Sequence, residues 1–188
     1  MKGKKVFLVD NFDSFTMNVY HLFSELTEHI TVKRADKTNI EEIKRENPDL
    51  IILSPGPGKP EDAELSLKIL KEFDGKKTVF GICLGMQCMA VYKKGKVDRL
   101  SPVHGKKHKV FHKGETIFKN IPSPFFAARY HSLAVFNLND MEVIATTEDN
   151  IIMGIQNKKS RFYGVQFHPE SFLTEYGLRI AENVLNLC

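Results

Sequence analysis

Cys83 and Cys88 stand five positions apart in FGICLGMQCMA, residues 80–90, directly after an apolar run and with a glycine two residues either side of Cys83. Gly81-Ile82-Cys83-Leu84-Gly85 is a G-x-C-x-G pattern at a strand-to-helix junction, the thiol counterpart of a nucleophile elbow. A sharp turn there lifts the side chain clear of the sheet, and the flanking glycines let the backbone pass closely. A helix N-terminus beneath the sulfur favours thiolate, and the free N–H groups of its first turn can hold an oxyanion. The ordinary alternative is a small buried hydrophobe, the usual role of a lone cysteine. The junction and its paired glycines favour a nucleophile. Cys88 has neither redox nor zinc-ligand spacing from Cys83, and on a helix it would diverge by about 140°. It reads as packing, and Cys188 as incidental.

A thiol nucleophile needs a base, and YGVQFHPES (163–171) supplies one. On a strand, Gln166, His168 and Glu170 point to one side, alternating with Val165 and Phe167. His168 and Glu170 can then reach one site, with the carboxylate orienting the imidazole. Pro169 removes a ladder donor, which suits a strand that is ending. His104, His108 and His112 recur every fourth residue, but Gly105 and the intervening lysines oppose a helix. On a strand they would span about 26 Å, too far for one ion, so no metal site is expected. SPGPG (54–58) lacks the phosphate-loop pattern G-x-x-x-x-G-K-[ST]. Its Gly56, Pro57 and Gly58 read instead as a backbone surface approaching a small ligand.

These residues need a scaffold, and the first half of the chain alternates between two periods. Strand-like apolar runs at Lys5–Asp10, Ile30–Ala35, Leu50–Leu53 and Thr78–Ile82 are separated by helical spacing over Ser14–Glu28, Ile40–Glu46, Asp62–Phe73 and Leu84–Lys93. Asn47-Pro48 and Gly95 end two of the helices. The expected fold class is α/β, with a mostly parallel central sheet covered by helices on both faces. Residues 103–112, 126–136, 141–147, 151–157 and 161–167 read as a more antiparallel, β-rich second half, closed by a helix at Glu175–Leu187. Ligands of an open parallel sheet bind beyond the carboxyl ends of the strands. DNFDSF, SPGPGKP and CLGMQ should therefore share one edge.

The chain has 188 residues, 42% hydrophobic and 27% charged, as expected of one well-buried domain spanning 1–188. No apolar run approaches the roughly 20 residues of a membrane helix. The first run ends at Asp10, too short for a secretory signal. Three cysteines without a disulfide framework point to a reducing compartment, with the cytoplasm as the expected location. The net charge of +4 is mild, and its densest stretch, HGKKHKVFHK (104–113), carries one aromatic, Phe111. That composition suits a solvated or partner-facing hairpin rather than a nucleic-acid surface.

GICLGMQ, GVQFHPES and LSPGPG together resemble the class I (triad) glutamine amidotransferases, and the family's flavodoxin-like fold agrees with the pattern above. VDNFDSFTMN, LSPGPGKPEDA, PVHGK and RYHSL are similar to the glutaminase subunits of anthranilate synthase and 4-amino-4-deoxychorismate synthase. The likeness runs nearly end to end. It implies hydrolysis of L-glutamine to glutamate and ammonia, with Cys83 as nucleophile, His168 as proton carrier and Glu170 orienting the imidazole. It places the oxyanion hole at the backbone N–H groups of Gly56 and Leu84. Gly58, Gln87, Ser132 and Leu133 would lie near the amino and carboxylate ends of glutamine. No metal or organic cofactor is implied for the glutaminase step. Ammonia would pass to a separate chorismate-binding synthase subunit, whose own site needs magnesium, because 188 residues leave no room for that half. The turn after Asp10 and the 104–107 turn are expected to face that partner.

Two positions depart from the family pattern. Met86 replaces a frequent histidine, and Met17 the usual tyrosine. The amidotransferase subunit of GMP synthetase shares the triad, but DNFDSFTMN and RYHSLAV argue against it. A cysteine peptidase or related hydrolase would need a peptide groove, and an intact triad disfavours a non-catalytic module. The motifs do not separate the anthranilate from the aminodeoxychorismate subunit.

Overall fold

The computed structural model describes residues 3–100 and 106–188. Its first half alternates through β1 (Val6–Asp10), α1 (Thr16–Ser24), β2 (Ile30–Arg34), α2 (Ile40–Glu46), β3 (Leu50–Leu53), α3 (Glu64–Phe73), β4 (Thr78–Ile82) and α4 (Leu84–Tyr92). There follow β5 (Lys96–Arg99), β6 (Lys106–His112), β7 (Phe125–Arg129), β8 (Leu133–Asn137), β9 (Glu142–Thr146), β10 (Ile152–Asn157), β11 (Phe162–Val165) and α5 (Gly177–Leu185). Among the described residues, nine strands form one sheet in the order β2-β1-β3-β4-β11-β10-β9-β6-β7. Its first five positions pair in parallel, and the others antiparallel. The expected α/β class is observed, and the parallel half has the strand order of flavodoxin-like sheets.

The parallel strands read as unbroken apolar runs because both faces are covered. Val6, Leu8, Leu50, Ile52, Phe80 and Ile82 face Val19 and Phe23 of α1 and Ile180 and Val184 of α5. Their neighbours Phe7, Val9, Ile51, Leu53 and Val79 face Ile43 of α2, Ile69 and Phe73 of α3, and Met86 and Met89 of α4. Each such buried side chain contributes about 1.5–3 kcal/mol relative to exposure. Local chemistry sets the helix ends. Asn39 accepts the Glu42 N–H at 2.9 Å to start α2, and Asn47, left-handed at φ 46°, closes it before Pro48.

The structure differs from expectation at several places. Helix α1 begins at Thr16, not Ser14, because Asp10 and Asp13 engage the Asp13 and Phe15 N–H groups in a turn. The segment 126–136 is two strands, broken at residues 130–132. Strand β5 has no apolar run to announce it, and it pairs with β8 as a separate antiparallel ribbon. Strand β11 stops at Val165 rather than 167. Of the three periodic histidines, His104 lies outside the described residues. His112 stacks on Phe118 at 4.7 Å, whereas His108 lies 3.4 Å from Arg129. Among the described residues no helix is long and apolar enough to cross a membrane.

Candidate active site

Parallel pairing brings four chain segments to one edge. Register pairs Val9 with Leu53, Leu53 with Gly81, and Ile82 with Val165. The stretches NFDSF, SPGPG, CLGMQ and QFHPES therefore all leave the sheet together. The first three are the ones that topology places there. The fourth joins them because β11 inserts beside β4.

Cys83 is the turn between β4 and α4, at φ 52° and ψ −102°. A non-glycine residue in that region costs about 1–3 kcal/mol, and the surroundings hold it there. The Cys83 N–H donates to the Val165 carbonyl at 2.8 Å, and the Cys83 carbonyl accepts from the Gln87 N–H at 3.1 Å. The two glycines serve helix packing. A Cβ at Gly81 would stand 2.5 Å from the Gly85 backbone, and one at Gly85 would stand 2.4 Å from the Leu53 carbonyl oxygen. Helix α4 thus sits directly on the sheet with Cys83 at its N-cap. Cys88 is fully buried, its sulfur 3.8 Å from the Pro60 carbonyl oxygen. Burial pushes its thiol up to about 12. Stoichiometric iodoacetamide at neutral pH is therefore expected to label Cys83 and leave Cys88 unmodified. Peptide mapping checks this, and a label on Cys88 in the folded protein would contradict the packing role.

His168 and Glu170 meet, though not by strand alternation. The strand has already ended, and a turn follows in which the Ser171 N–H donates to the His168 carbonyl. What fixes His168 is its main chain. Its N–H donates to the Ala128 carbonyl at 3.1 Å, and its carbonyl accepts from the Thr174 hydroxyl at 2.6 Å. The ring packs edge-on against Phe15 at 5.7 Å and Tyr130 at 5.1 Å. Nδ1 lies 2.6 Å from Glu170 Oε1, with the two side chains 4% and 0% exposed. Burial alone would lower the imidazole pKa, but hydrogen bonding and charge from Cys83 and Glu170 carry it up to about 10. Nε2, the nitrogen that Glu170 does not engage, is the one available for proton transfer. Asp13, beside this pair, is raised by burial and by the Glu170 charge despite the Phe15 N–H and the nearby His168.

The His168 shift carries a testable sign. Protonated His168 contributes stability fully below about pH 6.5 and loses it as the pH rises toward about 10. The thermal midpoint should fall across that window, and fall less in Cys83→Ala, which lacks the foremost of the influences that raise the imidazole. Identical slopes in the two proteins would show that Cys83 does not help hold the proton.

The other expected residues differ in burial and in what they touch. Gly56 packs between Asn11 and Leu84, where a Cβ would meet the Asn11 carbonyl oxygen at 2.5 Å and Leu84 Cδ2 at 2.8 Å. Pro57 and Gly58 are exposed, the latter at φ 83° with open space around it. Leu84 opens the first turn of α4. Gln87 is buried, and its Nε2 donates to the Leu133 carbonyl and to Gln166 Oε1, both at 3.1 Å. Ser132 is exposed, and its carbonyl accepts from the Leu100 N–H. Gln166 is in phase with His168 in the sequence, but that pattern alone does not give it a role. Its Nε2 lies 3.4 Å from Cys83 Sγ. Asn11, Phe15 and Tyr130 lie in stretches that the sequence points to, but their individual contacts join distant parts of the chain and are not legible there. Met86 is fully buried against Gly164, so that departure is internal, whereas Met17 is about half exposed. A cavity of about 600 Å³ is lined by Asn11, Phe12, Ile40, Pro57 and Leu84 among others, but not by Cys83 or His168.

A thiol on a strained elbow, an imidazole and an orienting carboxylate can carry nucleophilic substitution at an acyl carbon. The sequence model of the family described as glutamine amidotransferase class-I matches residues 7–187. The chain is 42% identical over 185 residues to anthranilate synthase component 2 of Pyropia yezoensis, covering 96% of this chain and 98% of that one. It is 40% identical to aminodeoxychorismate/anthranilate synthase component 2 of Bacillus subtilis, over 96% of this chain and 95% of that one. It is 42% identical to the bifunctional protein TrpGD of Thermotoga maritima, but spans 32% of that longer protein. A solved structure from Thermoplasma acidophilum, described as a GMP synthase subunit, superposes with a TM-score of 0.87. It is 26% identical, over 98% of this chain and 94% of that one.

Proposed function

Because this chain belongs to the class-I glutamine amidotransferase family, we propose that it hydrolyses L-glutamine and delivers the ammonia to a chorismate-binding synthase subunit. The observation that carries this reading is the buried His168–Glu170 pair beside a thiol held at positive φ.

In the proposed reaction, the thiol proton of Cys83 is held on His168 Nε2, the form that its raised pKa favours, while Sγ attacks the side-chain amide carbon of glutamine. His168 returns that proton to the leaving nitrogen, so ammonia departs and a γ-glutamyl thioester remains. It then takes a proton from water, whose oxygen attacks the thioester. Glutamate leaves, and the proton restores the thiol. Glu170, on Nδ1, keeps Nε2 facing the sulfur throughout. The backbone N–H groups of Gly56 and Leu84 hold the oxyanion. Pro57, Gly58, Ser132 and Leu133 surround the amino-acid end. Gln87 has both Nε2 hydrogens committed, which leaves its Oε1 to accept from the substrate amino group.

The step uses no cofactor of this chain, and magnesium is assigned to the partner's site. One glutaminase domain spans 1–188. Three free thiols agree with a cytoplasmic setting. The GMP synthetase reading shares the fold with the solved structure, but 26% identity there stands against 42% to component 2. Mixing the chain with glutamine, chorismate and a chorismate-binding synthase subunit tests the choice. Glutamate release that rises with the partner, together with an aminated chorismate product, is expected. Assembly with an ATP-pyrophosphatase subunit instead would favour the second reading.

A further inference from the structure

We propose that Asn11 is a positioning residue, whose side chain holds the Ser54–Gly58 loop so that the Gly56 N–H faces the developing oxyanion. The inference rests on the glutaminase reading above. Asn11 follows β1 and is 5% exposed. Its main-chain N–H donates to Ser54 Oγ at 2.9 Å, and its Nδ2 donates to the Ser54 carbonyl at 3.1 Å. Its Oδ1 accepts from Ser66 Oγ of α3 at 3.0 Å. The Ser54 carbonyl can only accept, so it fixes which end of the amide faces the loop. Ser54 and Ser66 are fully buried, so each bond replaces one that water cannot supply.

Packing covers the start of this loop, where Ser54 and Pro55 are buried, but not its tip. Gly56 touches Asn11 on one side and Leu84 on another, but Pro57, Gly58 and Lys59 are exposed. The cavity of about 600 Å³ opens against Asn11, Pro57 and Leu84. With space on that side, the loop's position is set by hydrogen bonds. The Asn11 main chain and side chain each supply one to Ser54, and the side chain is anchored to α3 by a third. A donor aimed at a developing oxyanion must be in place before the reaction, and a misplacement of about 1 Å can cost on the order of 100-fold.

The test compares steady-state glutamine hydrolysis, with the synthase partner present, against the rate of Cys83 alkylation by iodoacetamide. Alkylation needs the thiol and its imidazole but forms no oxyanion. Asn11→Ala should lower kcat roughly 10- to 100-fold with KM nearly unchanged, as for an interaction made only in the transition state. Its alkylation rate should match wild type. Wild-type kcat in this variant would overturn the role. So would alkylation that falls in parallel with kcat, which would mark general disruption of the thiol–imidazole pair. If Asn11→Ala does not fold, Ser66→Ala carries the test, with kcat expected to fall roughly 3- to 10-fold for one lost hydrogen bond. An unchanged kcat there overturns the proposal. Absence of glutamine hydrolysis by the wild-type complex would instead overturn the glutaminase reading, and this proposal with it.

Discussion

Replacing Cys83 by alanine should abolish glutamine-dependent product formation by the complex, by a factor on the order of 10⁴ or more, while synthesis from added ammonium salt persists. The size follows from the chemistry. Without the sulfur no thioester forms, and water must attack an unactivated amide with only an imidazole and two backbone donors to help. The fold should survive, because alanine keeps the Cβ and loses only one buried sulfur. A second variant separates geometry from chemistry. Cys83 sits at φ 52° and ψ −102°, where glycine is free of strain, so Cys83→Gly should be about 1 kcal/mol more stable than Cys83→Ala. Both should be equally inactive with glutamine. Retained glutamine-dependent synthesis in either variant would remove Cys83 from the mechanism. Equal stability of the two would show that the elbow is not strained.

A large effect on stability is expected at Gly85. A Cβ there would lie 2.4 Å from the Leu53 carbonyl oxygen and 2.8 Å from Leu53 Cβ. Neither is the movable end of a side chain, so the helix or the strand must give way. Helix α4 has no free direction, since Leu84 through Ala90 are all buried. Gly81 beneath it is equally close to the Gly85 backbone. Gly85→Ala should therefore cost about 3 kcal/mol or more. That corresponds to a fall in thermal midpoint of roughly 6–12 °C for a chain of this size. Gly58→Ala is the contrasting variant. Gly58 has nothing within 4 Å, but its φ is 83°, so its cost should be about 1–2 kcal/mol from backbone strain alone. Chemical denaturation of the two variants orders them. If Gly85→Ala were no less stable than Gly58→Ala, the close seat of α4 on the sheet would be wrong.

The legibility of each part follows from the range of the interaction behind it. Strands β1, β3 and β4 can be read because both faces are buried and the runs are largely apolar. Strand β5, Lys96–Arg99, cannot, because its order comes from pairing with β8 and not from its own burial. The His168–Glu170 contact is expected from a strand pattern, yet the chain turns after Val165. The two side chains meet because Ala128 and Thr174 hold the His168 main chain. Gln166 is in view as a neighbour of His168, but its reach to Cys83 spans 83 residues of sequence.

The residues by themselves determined the alternating strand–helix plan, the family motifs and the identity of the one thiol suited to an elbow. All of these depend on short-range periodicity, steric demand and side-chain chemistry. Only the tertiary structure decided that β11 inserts beside β4, which delivers His168 and Glu170 to the edge where Cys83 emerges. It also decided that Asn11 and Ser66, 55 residues apart, meet beside the Ser54–Gly58 loop. Those contacts lie between segments far apart in the chain, and their partners are set by which strands pair and which faces pack.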